Sequence, residues 1–178
     1  VVNAIEMQKS VSFPRISPDG RFLVFTMADY GTFPIWHKEA DLYMLDLENG
    51  KVKKMELNSN ETDSYHSWSS NSKWLVFSSK RLDGRSTRPF IAYINSWDQI
   101  GKPFVLPQDD PAYYDNLVLS YNIPEFIKGK IKMSPRDFEE ATKYTSIQAK
   151  SGKYENALPG KAKLPLNNHP EIPNSIHE

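Results

Sequence analysis

Two stretches of this chain are apolar on consecutive residues where a half-buried strand would alternate, and they stand at equivalent places in an internal repeat. The segment FPRISPDGRFLVFT (13–26) lies over YHSWSSNSKWLVFS (65–78) without a gap, at an offset of 52 residues. Phe13 falls over Tyr65, Ile16 over Trp68, Ser17 over Ser69, Asp19 over Asn71, and Leu23-Val24-Phe25 over Leu75-Val76-Phe77. Side chains alternate across a strand, so a run such as Phe22 to Phe25 places large apolar groups on both faces of its sheet and needs cover on both.

Each copy reads as four strands. In the first they are expected over 12–16, 21–26, 42–47 and 52–57. The last two are joined by a turn whose Asn49-Gly50 pair tolerates positive φ and is a strong hairpin signal. The fourth strand runs Val52, Lys53, Lys54, Met55, Glu56, Leu57, the near-alternation of a half-exposed outer strand. The second copy repeats the scheme through PFIAYIN (89–95) and ends in a strand over 102–106. Four-stranded antiparallel sheets with both faces buried must stack on similar sheets, and a repeat of about 40 to 50 residues is the propeller period. A two-sheet sandwich is the rival architecture.

Beyond Pro107 the pattern weakens. The stretch 109–126 begins like the first strand of a third, partial unit, with 113–119 as the candidate, and breaks at Pro124. Helix signals gather over 132–146: Ser134 as N-cap, Pro135 at the first helical position, Asp137 three residues after the cap, and Phe138, Ala141 and Tyr144 or Thr145 on one side. They predict a short amphipathic helix packed on the sheets. Prolines at 159, 165, 170 and 173 without apolar periodicity predict an extended or disordered tail over 151–178. The expected organisation is therefore sheets over 1–126, a linker and helix over 127–150, and the tail.

The repeat resembles the WD40-like repeat of the TolB type. Phe13, Pro14, Ile16, Ser17, Pro18, Asp19, Gly20 and Arg21 match its turn and flanks, as do Leu42-Tyr43-Met44-Leu45-Asp46 and Asn49-Gly50. The second copy keeps Trp68, Ser69 and Lys73 but carries Ser70-Asn71-Ser72 in place of Pro-Asp-Gly, which predicts a less rigid turn. The resemblance covers about residues 10 to 107 and implies an all-β, TolB-type β-propeller: two full four-stranded blades plus a partial one. Such rings usually close with six blades of about 40 residues. Hence the expectation that this is the carboxy-terminal part of a longer propeller, whose remaining blades come from the same polypeptide or another chain. A location in the bacterial periplasm or cell envelope is implied by the resemblance alone. No signal peptide is seen in the chain, which starts at Val1, and whether that is a natural terminus is left open.

Several chemistries are disfavoured. Cysteine is absent, which removes disulfides, thiolate metal sites and thiol catalysis. Twenty-two basic residues balance 22 acidic ones, so no global field draws nucleic acid, and no stretch reads as a membrane span. No Gly-x-Ser-x-Gly nucleophile elbow or phosphate-binding glycine loop occurs. His37, His66, His169 and His177 lack metal-ligand spacing; His66 reads as a hydrogen-bonded structural histidine on an inner strand. Asp109 and Asp110 are adjacent and point apart in an extended chain. Catalytic residues, cofactors and metal ligands are accordingly none.

What is left is surface. In the implied blade geometry the loops 27–40, 58–63 and 79–88 open on one face, and the Ser17-Pro18-Asp19-Gly20 and Ser69 to Ser72 turns lie on the other. The loop face offers Tyr30, Phe33, Trp36 and His37 beside Arg81, Asp83, Arg85 and Arg88, an aromatic and basic composition typical of interface hot spots. The alternative for the aromatics is to fold back and anchor their loop. The leading expectation is a non-catalytic module that binds a protein or peptide through this face. A propeller domain gating access in a larger prolyl-oligopeptidase-like hydrolase is the alternative, and a channel holding a small ligand or ion is a third.

Overall fold

The computed structural model describes residues 2–143. The protein is mostly β, with two antiparallel sheets and few, short helices. A four-residue helix α1 (Ala4–Met7), capped by the Asn3 side chain, leads into the first sheet. That sheet comprises β1 (Ser10–Ile16), β2 (Phe22–Ala28), β3 (Asp41–Asp46) and β4 (Val52–Lys54), paired in chain order. The second comprises β5 (Asp63–Trp68), β6 (Trp74–Ser79) and β7 (Arg88–Ser96). The short strands β8 (Gln99–Ile100) and β9 (Phe104–Val105) both pair with β7. The repeat seen in the sequence is therefore a repeat of sheets, and the expected strands are found within a few residues of their predicted ends. Two differences stand out. The first sheet's fourth strand stops at Lys54, and Met55 and Leu57 beyond it are buried while Val52 is exposed. In the second sheet the outer position is divided between β8 and β9.

The doubly apolar strands are covered on both faces, as their composition demands. Phe22, Val24, Leu42 and Met44 of the first sheet and Leu75, Phe77, Phe90 and Ala92 of the second form one shared core, joined by Met55 and Leu57 from the link between them. Apart from Ala92, each such side chain contributes about 1.5–3 kcal/mol relative to exposure. On the far side of the first sheet, Phe25, Met27 and Leu45 pack with Val2, Val11 and Tyr43. Face-to-face stacking of this kind is what both the propeller and the sandwich expectations require of neighbouring sheets.

The two β1–β2 and β5–β6 turns are alike bond for bond. Ser17 N–H donates to Phe22 O and Ser69 N–H to Trp74 O, each at 2.8 Å. The serine hydroxyls accept from Phe22 N and Trp74 N and donate to Asp19 and Asn71 at 2.7 Å. The second turn is thus as fully bonded as the first, contrary to the looser turn expected from its lost Pro-Asp-Gly. Ser72 takes the left-handed conformation (φ 59°) that Gly20 takes with φ 75°. Its hydroxyl accepts the Asp19 amide at 2.9 Å, so the residue that strains one turn also ties it to the other.

A second shared irregularity lies in the first strand of each sheet. The pairing slips between Ser12 and Arg15 and again between Ser64 and Ser67. At these bulges Phe13 (φ 52°) and Tyr65 (φ 45°) adopt the left-handed region, where a bulky residue is a genuine outlier held by its surroundings. Their rings meet edge to face with centroids 4.7 Å apart.

Residues 109–126 do not begin a third sheet. They form a short helix α2 (Tyr113–Asn116) and then an extended strap that lies over the second sheet. Tyr121 N–H donates to Thr87 O at 3.1 Å, Ser78 Oγ donates to Asn122 O at 2.6 Å, and Glu125 accepts from Ser67 Oγ at 2.9 Å and pairs with Arg15 at 2.8 Å. The hydroxyl of Ser78 and the carbonyl of Thr87 both find partners in the strap, which is why an irregular segment can take the place of a strand there.

Residues from Ile131 onward belong to a separate compact unit. Within it, helix α3 (Pro135–Ala141) begins as predicted, with the Ser134 amide donating to Asp137 Oδ2 at 2.5 Å. That amide holds the Asp137 carboxyl below the ordinary range. No residue of the helix is buried within this unit, and Phe138 is exposed. The candidate positions Tyr144 and Thr145 and the tail over 151–178 lie outside the described residues.

Candidate functional site

The three segments expected to share one face do meet. Thr62 Oγ1 donates to His37 O at 2.8 Å, Lys80 N–H donates to Thr62 O at 3.0 Å, and Lys38 pairs with Glu61 at 2.8 Å. Between β2 and β3 the long loop is pinned by a single turn of 3-10 helix (Pro34–Trp36), whose Pro34 and Ile35 are buried. Phe33 precedes it with φ 54°, and this twist leaves the rings of Phe33 and Trp36 65% and 77% exposed. They stand at the edge of the loop face and do not fold back.

Beside them opens a cavity of about 470 Å³. Its walls are Phe13 and Tyr65 from the two bulges, Phe33, Ile35 and Trp36 from the loop, Lys80, Arg85 and Thr87 from the β6–β7 connection, and 120–123 from the strap. Three of the five non-glycine residues with positive φ among the described residues, Phe13, Phe33 and Tyr65, line this one space. Left-handed backbone costs such residues on the order of 1–3 kcal/mol each, so three such costs are concentrated in one wall. Lys80 is 9% exposed, and its ammonium stands 4.7 Å from the centre of the Trp36 ring. Burial pushes the Tyr65 hydroxyl up, and the hydrogen bond with Tyr113, followed by burial, pushes Tyr121 up to about 12, so both line the cavity as neutral groups.

The candidate partner-binding residues divide among different tasks. Phe33, Trp36 and Arg85 line the cavity. Tyr30 is 70% exposed and packs edge to face on His37, whose ring is held between Thr32 O at 3.2 Å and Glu39 at 3.6 Å, so His37 serves its own loop. Asp83 caps a turn. Slight desolvation pushes its carboxyl up, but the amides of Arg85 and Ser86, each at 2.8 Å, outweigh it and hold the group low.

Arg81 and Arg88 are not surface contacts. Arg81 donates to Asp63 Oδ1 at 2.7 Å, Leu57 O at 2.9 Å and Ser79 Oγ at 2.8 Å, with its guanidinium over Phe90 at 4.6 Å. Arg88 is 3% exposed and spends its guanidinium on the carbonyls of Thr87, Tyr114, Leu117 and Leu119. Both bases read as interface residues in the sequence because arginine at a loop looks the same whether its partner is a ligand or a distant carbonyl of its own chain. Conversely, no charge marked Phe13 and Tyr65 as cavity residues, and the repeat motif placed Phe13 only as a flank of its turn. Their signal was their superposition in the repeat.

His66 occupies the interior, as a structural histidine would. Nε2 lies 2.9 Å from Val24 O, which fixes the neutral tautomer with Nε2–H as donor and leaves Nδ1 without a partner among the described residues. Burial, with a smaller contribution from the Arg15 charge, pushes its pKa down to about 4 despite the Val24 bond. The unfolded chain takes up this proton near pH 6.5 and the folded one only near 4, so stability falls as pH drops through that window. A loss on the order of 1–2 kcal/mol between pH 6.5 and 5 is expected in denaturant titrations. His66→Gln, which keeps an N–H donor, should flatten that slope; an unchanged slope would show that other groups set it.

Among the described residues there is no cluster of three metal-ligating side chains and no helix long and apolar enough to cross a membrane. No family model, curated protein or solved structure matches the chain.

Proposed function

We propose that this chain supplies two blades of a TolB-like propeller of the bacterial periplasm or cell envelope and serves as a non-catalytic module that binds a protein or peptide through its loop face. The gapless repeat, the chain-order pairing of its strands and the duplicated bulge support the propeller reading. The observation that carries the binding reading is the pair of exposed rings, Phe33 and Trp36, at the rim of an aromatic-walled cavity. Exposed aromatics fixed by a rigid turn supply contact area with little rotamer entropy to lose, the property of interface anchors. Rigid display is the mechanism, with the sheets holding the loops in register.

Panning a displayed peptide library against the full chain is expected to enrich binders. Trp36→Ala should weaken the selected peptides by about thirtyfold or more, the effect of losing one aromatic hot spot. Its thermal midpoint should be unchanged, because the ring is mostly exposed. Binding that survives the substitution, or a library that yields no binder, would overturn this reading.

A further inference from the structure

The cavity has a charge pattern that its aromatic walls do not explain. Two cations line it, Lys80 and Arg85, and no Asp or Glu does. Most of the Lys80 residue is buried, its ammonium lies over the Trp36 ring, and among the described residues no carboxylate stands within ion-pair distance of that charge. The basic side chains around it are differently placed: Lys38 pairs with Glu61, and Arg81 with Asp63. The Arg85 guanidinium likewise has no carboxylate partner among the described residues, although its amide is fixed by Asp83. An unpaired ammonium at an aromatic wall, where part of the surrounding water is replaced by rings, attracts an anion more strongly than it would in open solvent. The two hydroxyls closest in chemistry to an anion, Tyr65 and Tyr121, are both held in their neutral form.

Resting on the peptide-binding reading above, we propose that this cavity takes the free carboxyl terminus of a peptide whose last residue is large and apolar. The carboxylate is received by Lys80 and Arg85, and the terminal side chain lies among Phe13, Phe33 and Tyr65. The volume suits a terminal residue and its neighbours, since specific pockets of about 300–1,000 Å³ enclose ligands of that size. Phe13 and Tyr65 are already set against each other edge to face at 4.7 Å, so that part of the wall is formed before the ligand arrives. An internal peptide segment would place a neutral amide beside Lys80 and leave its charge unanswered, which is why a chain end is favoured over a loop.

The test uses the full chain and the probe acetyl-alanyl-alanyl-phenylalanine, as the free acid and as the carboxamide, measured by titration calorimetry. The acid is expected to bind, and the amide to bind about tenfold more weakly or worse, the least that a charge-assisted hydrogen bond contributes. Lys80→Met keeps the packing on Trp36 and should erase the difference between acid and amide, with Lys80→Arg restoring it; equal thermal midpoints show that both variants fold. Equal binding of acid and amide, or a preference that persists in Lys80→Met, overturns the carboxylate pocket while library-selected peptides that still depend on Trp36 leave the interaction module standing. If neither probe binds and no library peptide does, both readings fall.

Discussion

Replacing Arg81 with alanine is expected to lower the unfolding free energy by about 3–5 kcal/mol, the cost of removing one partner from a buried ion pair. Asp63 is fully buried, and its carboxylate is held by Arg81 on one oxygen and by the Ser59 amide and hydroxyl, at 2.6 and 2.8 Å, on the other. Without the guanidinium, that charge stays in the interior with two neutral donors and no counterion. The carbonyl of Leu57 and the hydroxyl of Ser79 lose a donor at the same time. Arg81→Lys should recover little, because one ammonium cannot reach Asp63, Leu57 and Ser79 together while lying flat over Phe90. The result to look for is a large drop in the urea midpoint with an unchanged slope. A variant of normal stability that has lost peptide binding would instead return Arg81 to the interface that the sequence suggests.

Arg88→Ala acts on the strap. Its guanidinium satisfies carbonyls at Tyr114, Leu117 and Leu119 at 2.7 to 3.1 Å, and it faces the Tyr114 ring. Those carbonyls belong to the single-turn helix α2 and the irregular chain after it, which have no sheet partner to fall back on, so the expected loss is about 3 kcal/mol, two or so charge-assisted bonds after solvation by water is counted. Hydrogen exchange is the sharper readout. Amide protection at Tyr121, which donates to Thr87, should collapse, whereas amides of β2 and β6 should keep theirs. Because Tyr121, Asn122 and Ile123 form one wall of the cavity, peptide affinity should fall as well. Uniform loss of protection across both sheets would mean that the strap is part of one cooperative unit with them.

Much of the fold was legible because the sequence states its strands twice. Phe22 to Phe25 and Trp74 to Phe77 required cover on both faces, and the aligned serines at 17 and 69 identified one turn where a single copy would have been ambiguous. The Ser70-Asn71-Ser72 turn was misjudged because loss of glycine was read as loss of order; a hydroxyl reaching the neighbouring turn restores what the backbone strain removes. Residues 113–119 looked like a strand because Tyr, Leu and Val favour one, but no partner edge is offered there, and Arg88 takes the carbonyls that a neighbouring strand would have paired. At the candidate site the exposed aromatics could be named from composition. The division of the basic residues could not, since burial of Arg81 and Arg88 depends on Asp63, 18 residues from Arg81, and on the strap, 26 to 31 residues from Arg88.

The edge-to-face pair at the two bulges has a consequence for how such a wall can arise. Phe13 and Tyr65 occupy equivalent positions of the repeat, so their contact exists only where the two copies lie side by side. The wall therefore joins the two sheets at equivalent points of the repeat, and phenylalanine on one side and tyrosine on the other make its two halves chemically distinct.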